Sequence, residues 1–313
     1  MPRILLVKTS SLGDVVHNLP VVSDIASHCP EAEIDWVLEE SLAVLPALHA
    51  NVRRAIPVAV RRWRSALWKA EVRREIAAFL DAMRAVRYDA VIDTQGLLKS
   101  ALIAFAAHGR RYGLDFQSSR EPLAPFYDQT FNVPRDLHAV ERNRIVAARA
   151  LGYAVPSRVD YGIGAGPSAA PGAYAVLVHA TSAAKKLWPE ACWVELGREL
   201  DRRGWKSVLP WGNDDERRRS ERLAAEIPGA SSPPRMPLAE VAGLLAGARC
   251  VIGVDTGLTH LAGALGVPTV GIYTATDPAT TGLYGCARAT NLGAAAANPS
   301  VEDALLALEG LGA

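Results

Sequence analysis

The chain has 313 residues, half of them hydrophobic and 21% charged, a balance that builds buried cores and excludes a disordered coil. At roughly 150 residues per domain this length allows about two domains, each able to hold its own core without staples. Thirty-four basic against 33 acidic side chains leave a formal net charge of +1, so no global field gathers nucleic acid and a charged partner must be met by a local patch.

Residues 3–7 carry a short apolar run that Lys8 ends; it is too short for the core of a signal peptide and reads as a strand. After Gly13, apolar residues return at Val15, Val16, Leu19, Val22 and Ile25, the period of a helix. A strand over 34–38, an amphipathic helix over 72–86, a buried strand over 90–92 and a helix over 99–107 continue the alternation. Residues 157–172, SRVDYGIGAGPSAAPG, follow neither period and read as an interdomain linker. The pattern then restarts, with strands over 175–179, 206–209, 250–254 and 269–273 and helices over 190–203, 214–225, 238–246 and 259–266. Strands alternating with helices predict parallel sheets covered on both faces. The expected architecture is therefore α/β, with two Rossmann-like doubly wound domains, 1–156 and 173–313, facing each other across a cleft. The longest uncharged stretch, 256–276, is broken by Gly257, Gly263, Gly266, Pro268 and Gly271, so it reads as helix, turn and strand and any membrane contact is peripheral. Cys29, Cys192, Cys250 and Cys286 lie far apart without C-x-x-C spacing, which argues against a zinc site or a disulfide framework and fits a reduced cytoplasmic setting.

Ligands of doubly wound sheets lie beyond the carboxyl ends of the strands, so the loops there should carry the chemistry. The first, Lys8-Thr9-Ser10-Ser11-Leu12-Gly13-Asp14, offers hydroxyls, a lysine and a glycine at a helix N-terminus, suited to an anion but without the spacing of the common nucleotide loops. Asp14 reads either as a helix cap or as a general base. In the second half, Asp255, Thr256 and Gly257 fall at a strand's end, with Thr259 and His260 opening the next helix. That suits a diphosphate, because first-turn N–H groups face the ligand and Gly257 lets the backbone approach. Asp255 itself is expected to organise the loop through hydrogen bonds to backbone N–H groups. The segment HATSAAKKLWPE adds Thr181, Ser182, Lys185 and Lys186, the lysines as point cations.

Glu216 is either a dipole partner in the first turn of its helix or an acceptor for ribose hydroxyls; Met236 either lines a base pocket or fills core. Arg61, Arg62 and Arg64 are expected in a loop before the long helix, near Lys69, Arg73, Arg74, Lys99 and Arg120 in sequence or at later strand ends. Such residues read as a solvated helix face or as a patch for carboxylates and phosphates; a small acidic acceptor is favoured over nucleic acid. The histidines form no H-x-x-x-H pair, so no metal site is expected.

Eight segments carry a resemblance: KTSSLGDVVHNLP at 8–20, VAVRRWRS at 58–65, YDAVIDTQGLLKSA at 88–101, REPLA at 120–124, HAVER at 138–142, HATSAAKKLWPE at 179–190, LPWGN at 209–213 and GVDTGLTHLAGALGVPTVGIY at 253–273. In this order they resemble the ADP-heptose lipopolysaccharide heptosyltransferases along nearly the whole chain. The resemblance implies a GT-B glycosyltransferase needing no metal or cofactor, with ADP-heptose in the second domain and Kdo-lipid A in the first, that adds heptose to the first Kdo. It implies Asp14 as catalytic base and donor contacts on Thr181, Ser182, Lys186, Glu216, Met236, Asp255, Thr256, Gly257 and His260. Acceptor contacts fall on Ser10, Gly13, Arg61, Arg62, Arg64, Lys99 and Arg120. A cytoplasmic monomer, peripheral on the inner membrane and without nucleic-acid partners, is implied as well. The chain departs from the family after Tyr273, reading Thr274-Ala275-Thr276-Asp277-Pro278 where the family usually has Gly-Pro before Thr-Asp-Pro.

On this reading Lys186 and the helix after Gly257 meet the charge that develops on the departing diphosphate, while Asp14 takes the acceptor proton in a single displacement with inversion. Three alternatives share these residues: a heptosyltransferase acting on a later core acceptor, a nucleotide-sugar epimerase on the same scaffold, and a binding module without activity.

Overall fold

The computed structural model describes residues 1–163, 174–295 and 298–313. Contacts divide the chain into two units, Met1–Gly162 and Ile163–Ala313. In the first, the elements run β1 (Arg3–Val7), α1 (Leu12–Val16), α2 (Leu19–His28), β2 (Glu33–Glu39), α3 (Val44–Ala47), β3 (Val52–Val58), α4 (Val60–Arg64), α5 (Ala70–Arg84), β4 (Arg87–Asp93), α6 (Leu98–Ala106), β5 (His108–Leu114), β6 (Gln129–Phe131) and α7 (Ala139–Leu151). Six parallel strands pair in the order β3-β2-β1-β4-β5-β6. The apolar run Ile4 to Val7 is buried throughout, as a central strand covered on both faces must be. Strand β3 lies at the sheet edge, where Pro57 and the exposed Arg53 and Arg54 are tolerated. Helix α5 packs beside α6, and α2 beside α7. The core under α5 and α6 joins Leu5, Val7 and Val91 to Met83, Ala101 and Ala104.

The order of winding reverses between β1 and β4, which makes their carboxyl ends the switch point at which doubly wound sheets place their ligands. The expected linker, 157–172, needs correction in its first part. Arg144 of α7 is 1% exposed and forms an ion pair with Asp24 of α2 at 2.8 Å. Its Nη2 also donates to the carbonyls of Pro156 and Arg158 at 2.7 and 2.9 Å. Gly162, at φ +63°, lies so close to the His49 ring that a Cβ would collide with it. These contacts tie the chain up to Gly162 into the first unit; residues 164–172 lie outside the described residues.

The second unit comprises β7 (Tyr174–Val178), α8 (Glu190–Arg202), β8 (Lys206–Val208), α9 (Asp214–Glu226), α10 (Leu238–Ala246), β9 (Cys250–Val254), α11 (Gly257–Ala264), β10 (Thr269–Tyr273), α12 (Pro278–Thr281), β11 (Ala289–Gly293) and α13 (Val301–Gly310). Its five parallel strands pair in the order β11-β10-β9-β7-β8, reversing between β7 and β9. Leu177, Ile252 and Val270 of the sheet meet Trp188, Trp193 and Leu196, with the two indoles edge to face at 5.1 Å. Helix α11 begins at Gly257, ahead of the 259–266 span expected from periodicity, because Thr256 turns the chain directly from β9 into the helix. Among the described residues no helix is long and apolar enough to cross a membrane.

Candidate active site

In the first unit the loops after β1 and β4 are laced together at the switch point. Thr9 donates to Gln95 Oε1 from its backbone N–H at 2.6 Å and its hydroxyl at 2.7 Å, and Gln95 Nε2 donates to the Ser10 carbonyl. Lys8 Nζ donates to the Thr94 carbonyl at 3.0 Å and Asn143 Oδ1 at 3.2 Å. Burial lowers its pKa, against the charges of Asp14 and Asp93. Asp93 closes β4 fully buried and accepts from the N–H groups of Gln95 and Gly96 and from the Tyr127 hydroxyl, at 2.8, 3.2 and 2.9 Å. This buried acceptor shapes the turn that presents Lys99.

Asp14 sits in the first turn of α1, half-buried. The Ser11 N–H and hydroxyl both donate to its Oδ2, at 2.8 and 2.9 Å. Its Oδ1 makes no hydrogen bond among the described residues. Cap and base are therefore compatible: one oxygen anchors the carboxylate, and the other stays available for a proton. Lys99 Nζ donates to Ser10 Oγ, which brings Ser10, Gly13, Asp14 and Lys99 to one rim. Burial lowers the Lys99 pKa, with Glu39 and Asp14 opposing and the positive Arg61 and Arg64 reinforcing it. Glu39, ending β2, is nearly buried, with Oε1 unpaired among the described residues, and burial raises its pKa.

The arginines 61, 62 and 64 lie on α4, a short helical turn, and not in the loop expected from sequence. Arg62 is engaged within its own unit, by Glu40 at 3.1 Å and Glu75 at 2.8 Å. Arg61 and Arg64 are exposed and have no carboxylate partner among the described residues. Arg120, in the loop after β5, faces two guanidiniums that sequence reasoning missed. Arg142 Nη2 donates to the Ser118 carbonyl at 2.7 Å, and Arg135 donates to that of Ser119. Burial and the charges of Arg120 and Arg135 together lower the Arg142 pKa, and none of the three meets a carboxylate among the described residues. Arg142 stands inside HAVER, but only folding brings α7 to the loop after β5.

In the second unit the loops after β7, β9 and β10 converge on Asp255. Lys186 Nζ lies 2.7 Å from Asp255 Oδ2, Thr276 Oγ1 donates to the same oxygen at 2.6 Å, and His260 Nε2 stands 3.4 Å from Oδ1. Burial opposes ionisation here, yet the bonds from His260, Lys186 and Thr276 outweigh it and hold the carboxyl well below the usual range. Asp255 thus organises its loop through side chains, not through the backbone N–H groups expected. Thr181 Oγ1 donates to the Asp255 carbonyl at 3.1 Å, and Ser182 lies exposed in the same loop. The departure after Tyr273 is structural: Thr274 Oγ1 donates to the Lys185 carbonyl at 3.0 Å, binding the loop after β10 to the one that presents Lys186. In α11, Thr259 and His260 donate to the Thr256 carbonyl at 3.1 and 3.3 Å, which leaves the N–H groups of Gly257 and Leu258 outside the helix's own ladder.

Glu216 serves as a cap with one oxygen: Gly212 N–H donates to Oε2 at 2.7 Å, while Asn213 accepts from the Glu216 N–H at 3.0 Å. Trp211 Nε1 donates to the Pro233 carbonyl at 2.7 Å, holding the segment of half-buried Met236 beside this turn. Arg219, one turn further along α9, donates to the Trp188 carbonyl at 2.8 Å and lies 3.1 Å from Glu190. It ties the end of the Lys186 loop to the helix of Glu216. His179 is fully buried with neither ring nitrogen bonded among the described residues, and burial, with Arg219 nearby, pushes its pKa down to about 4. Among the described residues no group of three or more His, Cys, Asp or Glu side chains is placed to hold a metal ion.

The sequence profile of glycosyltransferase family 9 (heptosyltransferase) matches residues 76–305. The chain belongs to that family. It is 49% identical over 289 residues to lipopolysaccharide heptosyltransferase 1 of Pseudomonas aeruginosa, a match covering 90% of this chain and 81% of that protein. The heptosyltransferase 1 of Escherichia coli K12 is 46% identical, with 90% of this chain and 91% of that protein covered. A solved structure of E. coli heptosyltransferase WaaC with ADP has a TM-score of 0.91 at 42% identity, covering 99% of both chains. The same enzyme with ADP-2-deoxy-2-fluoro heptose has a TM-score of 0.88, over 98% of this chain and 99% of that one. The family 9 glycosyltransferase described here accordingly has two parallel-sheet α/β domains of the GT-B class.

Proposed function

We propose that this glycosyltransferase moves L-glycero-D-manno-heptose from ADP-heptose to the first Kdo of Kdo-lipid A, in inner-core lipopolysaccharide biosynthesis, with inversion at the anomeric carbon. The observation that carries the reading is the donor-side constellation, Lys186 held by Asp255 beside the open first turn of α11, in a chain of this family. As the bond to ADP breaks, positive charge grows on the anomeric carbon and negative charge on the diphosphate. Lys186 and the Gly257 and Leu258 N–H groups meet the latter. Thr181, Ser182, Thr256 and His260 border the same loops, and Glu216 and Met236, on the neighbouring turns, take the ribose and the base in this proposal.

Asp14 Oδ1 accepts the proton of the attacking hydroxyl, and the new glycosidic bond forms on the face opposite the leaving group. ADP leaves as a stabilised anion, so neither a second carboxylate nor a metal enters the scheme. Arg61, Arg64, Lys99 and Arg120, joined by Arg135 and Arg142, offer unpaired positive charge to the Kdo carboxylates and lipid phosphates of the acceptor. The reading includes a monomer on the cytoplasmic face of the inner membrane, touching it peripherally. Incubation with ADP-heptose and Kdo-lipid A should yield one added heptose with inverted configuration by NMR, at a rate unchanged by a chelator. Transfer only to longer core acceptors, or turnover of the nucleotide sugar without an acceptor, would overturn it.

A further inference from the structure

Helix α6 presents Leu98, Leu102 and Phe105 at i, i+4 and i+7, on one face and 48%, 51% and 58% exposed, while Ala101 and Ala104 are buried. Leu67 and Trp68, just before α5, are 51% and 71% exposed. Both helices start from the carboxyl end of the same parallel sheet and α5 packs beside α6, so Trp68 and Leu98, at the starts of these helices, lie at the end of the sheet that also carries Lys99. Large apolar side chains grouped in this way mark a contact surface.

The charge around them identifies what is contacted. With Arg62 neutralised by Glu40 and Glu75, residues 61–74 still hold Arg61, Arg64, Lys69, Arg73 and Arg74 against Glu71, in a chain whose total charge is only +1. Exposed tryptophan and leucine set among cations fit a layer that is anionic at its surface and apolar beneath, where indoles favour the interface and each nearby Lys or Arg adds attraction. We propose that this face of the first unit docks on a bilayer containing anionic lipid, with Leu67, Trp68, Leu102 and Phe105 entering the headgroup layer. The inference rests on the lipid-linked acceptor proposed above and deepens it, because it sets the cationic rim of Lys99, Arg61 and Arg64 at the surface where such an acceptor is embedded.

The test is sedimentation of the full chain with vesicles of phosphatidylethanolamine and phosphatidylglycerol, or of phosphatidylcholine alone, alongside transfer to a Kdo acceptor stripped of acyl chains. Wild type should bind the anionic vesicles and release them as salt rises. The double variants Leu67→Ser/Trp68→Ser and Leu102→Ser/Phe105→Ser should each bind at least tenfold more weakly, with transfer to the soluble acceptor unchanged. A charge variant, Lys69→Glu/Arg74→Glu, should lose binding to anionic vesicles without altering the apolar side chains. Equal binding by wild type and all variants, no binding by wild type, or equal binding to both vesicle types would overturn the docking surface. Failure of wild type to act on either acceptor would instead defeat the functional reading, and sedimentation would still report on docking.

Discussion

Lys186 and Asp255 form the ion pair at the centre of the proposed donor site. Asp255 has a carboxyl held low by its partners, so it stays ionised throughout the neutral range; its stabilising contribution is present above the unfolded value near 3.9 and disappears as pH falls through the lower folded value. Lys186→Met should raise the KM for ADP-heptose about tenfold to a hundredfold, the worth of one hydrogen bond to a charged group; an unchanged KM would remove Lys186 from donor binding. His179 makes stability depend on pH as well. Its folded pKa of about 4 lies below the unfolded value near 6.5, so the unfolded chain binds the proton first and stability declines as pH drops between them. Urea unfolding should show about 2 kcal/mol less stability from this residue at pH 5 than at pH 7.5, a slope that His179→Phe removes. Identical slopes in both proteins would contradict it. The sequence made the residues of this site visible as strand-end loops, but not their pairing. Thr276 reaches Asp255 across 21 positions only because β9 and β10 lie side by side.

At the level of elements, the loop of Lys186 and the helix of Glu216 are joined through Arg219, whose planar fork serves a carbonyl and a carboxylate together. Arg219→Lys retains the charge but not the fork. It should raise the KM for ADP-heptose several-fold with kcat nearly unchanged, and Arg219→Gln should do so more strongly; steady-state kinetics showing a kcat loss alone would assign Arg219 another part. Helices α8, α9 and α10 were legible because long amphipathic segments advertise their period. Strands β3 and β5 were not: Arg53-Arg54 and Arg110-Arg111 interrupt their apolar pattern, and their pairing with β2 and β4 supplies what local sequence does not. Strand β6 is too short to show any period. For the same reason the run of arginines at 61–64 gave no sign of the short helix α4 that follows β3.

For the whole molecule, the alternation of strands and helices revealed two doubly wound sheets, since each crossover brings the chain back parallel. Strand order was not legible, because it depends on which edge each crossover returns to, a matter of long-range packing. The Pro- and Gly-rich composition of 157–172 likewise concealed that its first residues are fastened by Arg144. The proposed transfer requires a carboxylate from the first unit, Asp14, and an anion cradle from the second. Asp14→Asn tests that most directly: it keeps an oxygen for the Ser11 N–H, so the turn survives, but removes the proposed base. Transfer rate and calorimetric ADP affinity should be measured on the same preparation. The kcat should fall by about 10²–10⁴-fold with ADP affinity unchanged; a variant that transfers heptose within a few-fold of wild type would contradict a base at Asp14.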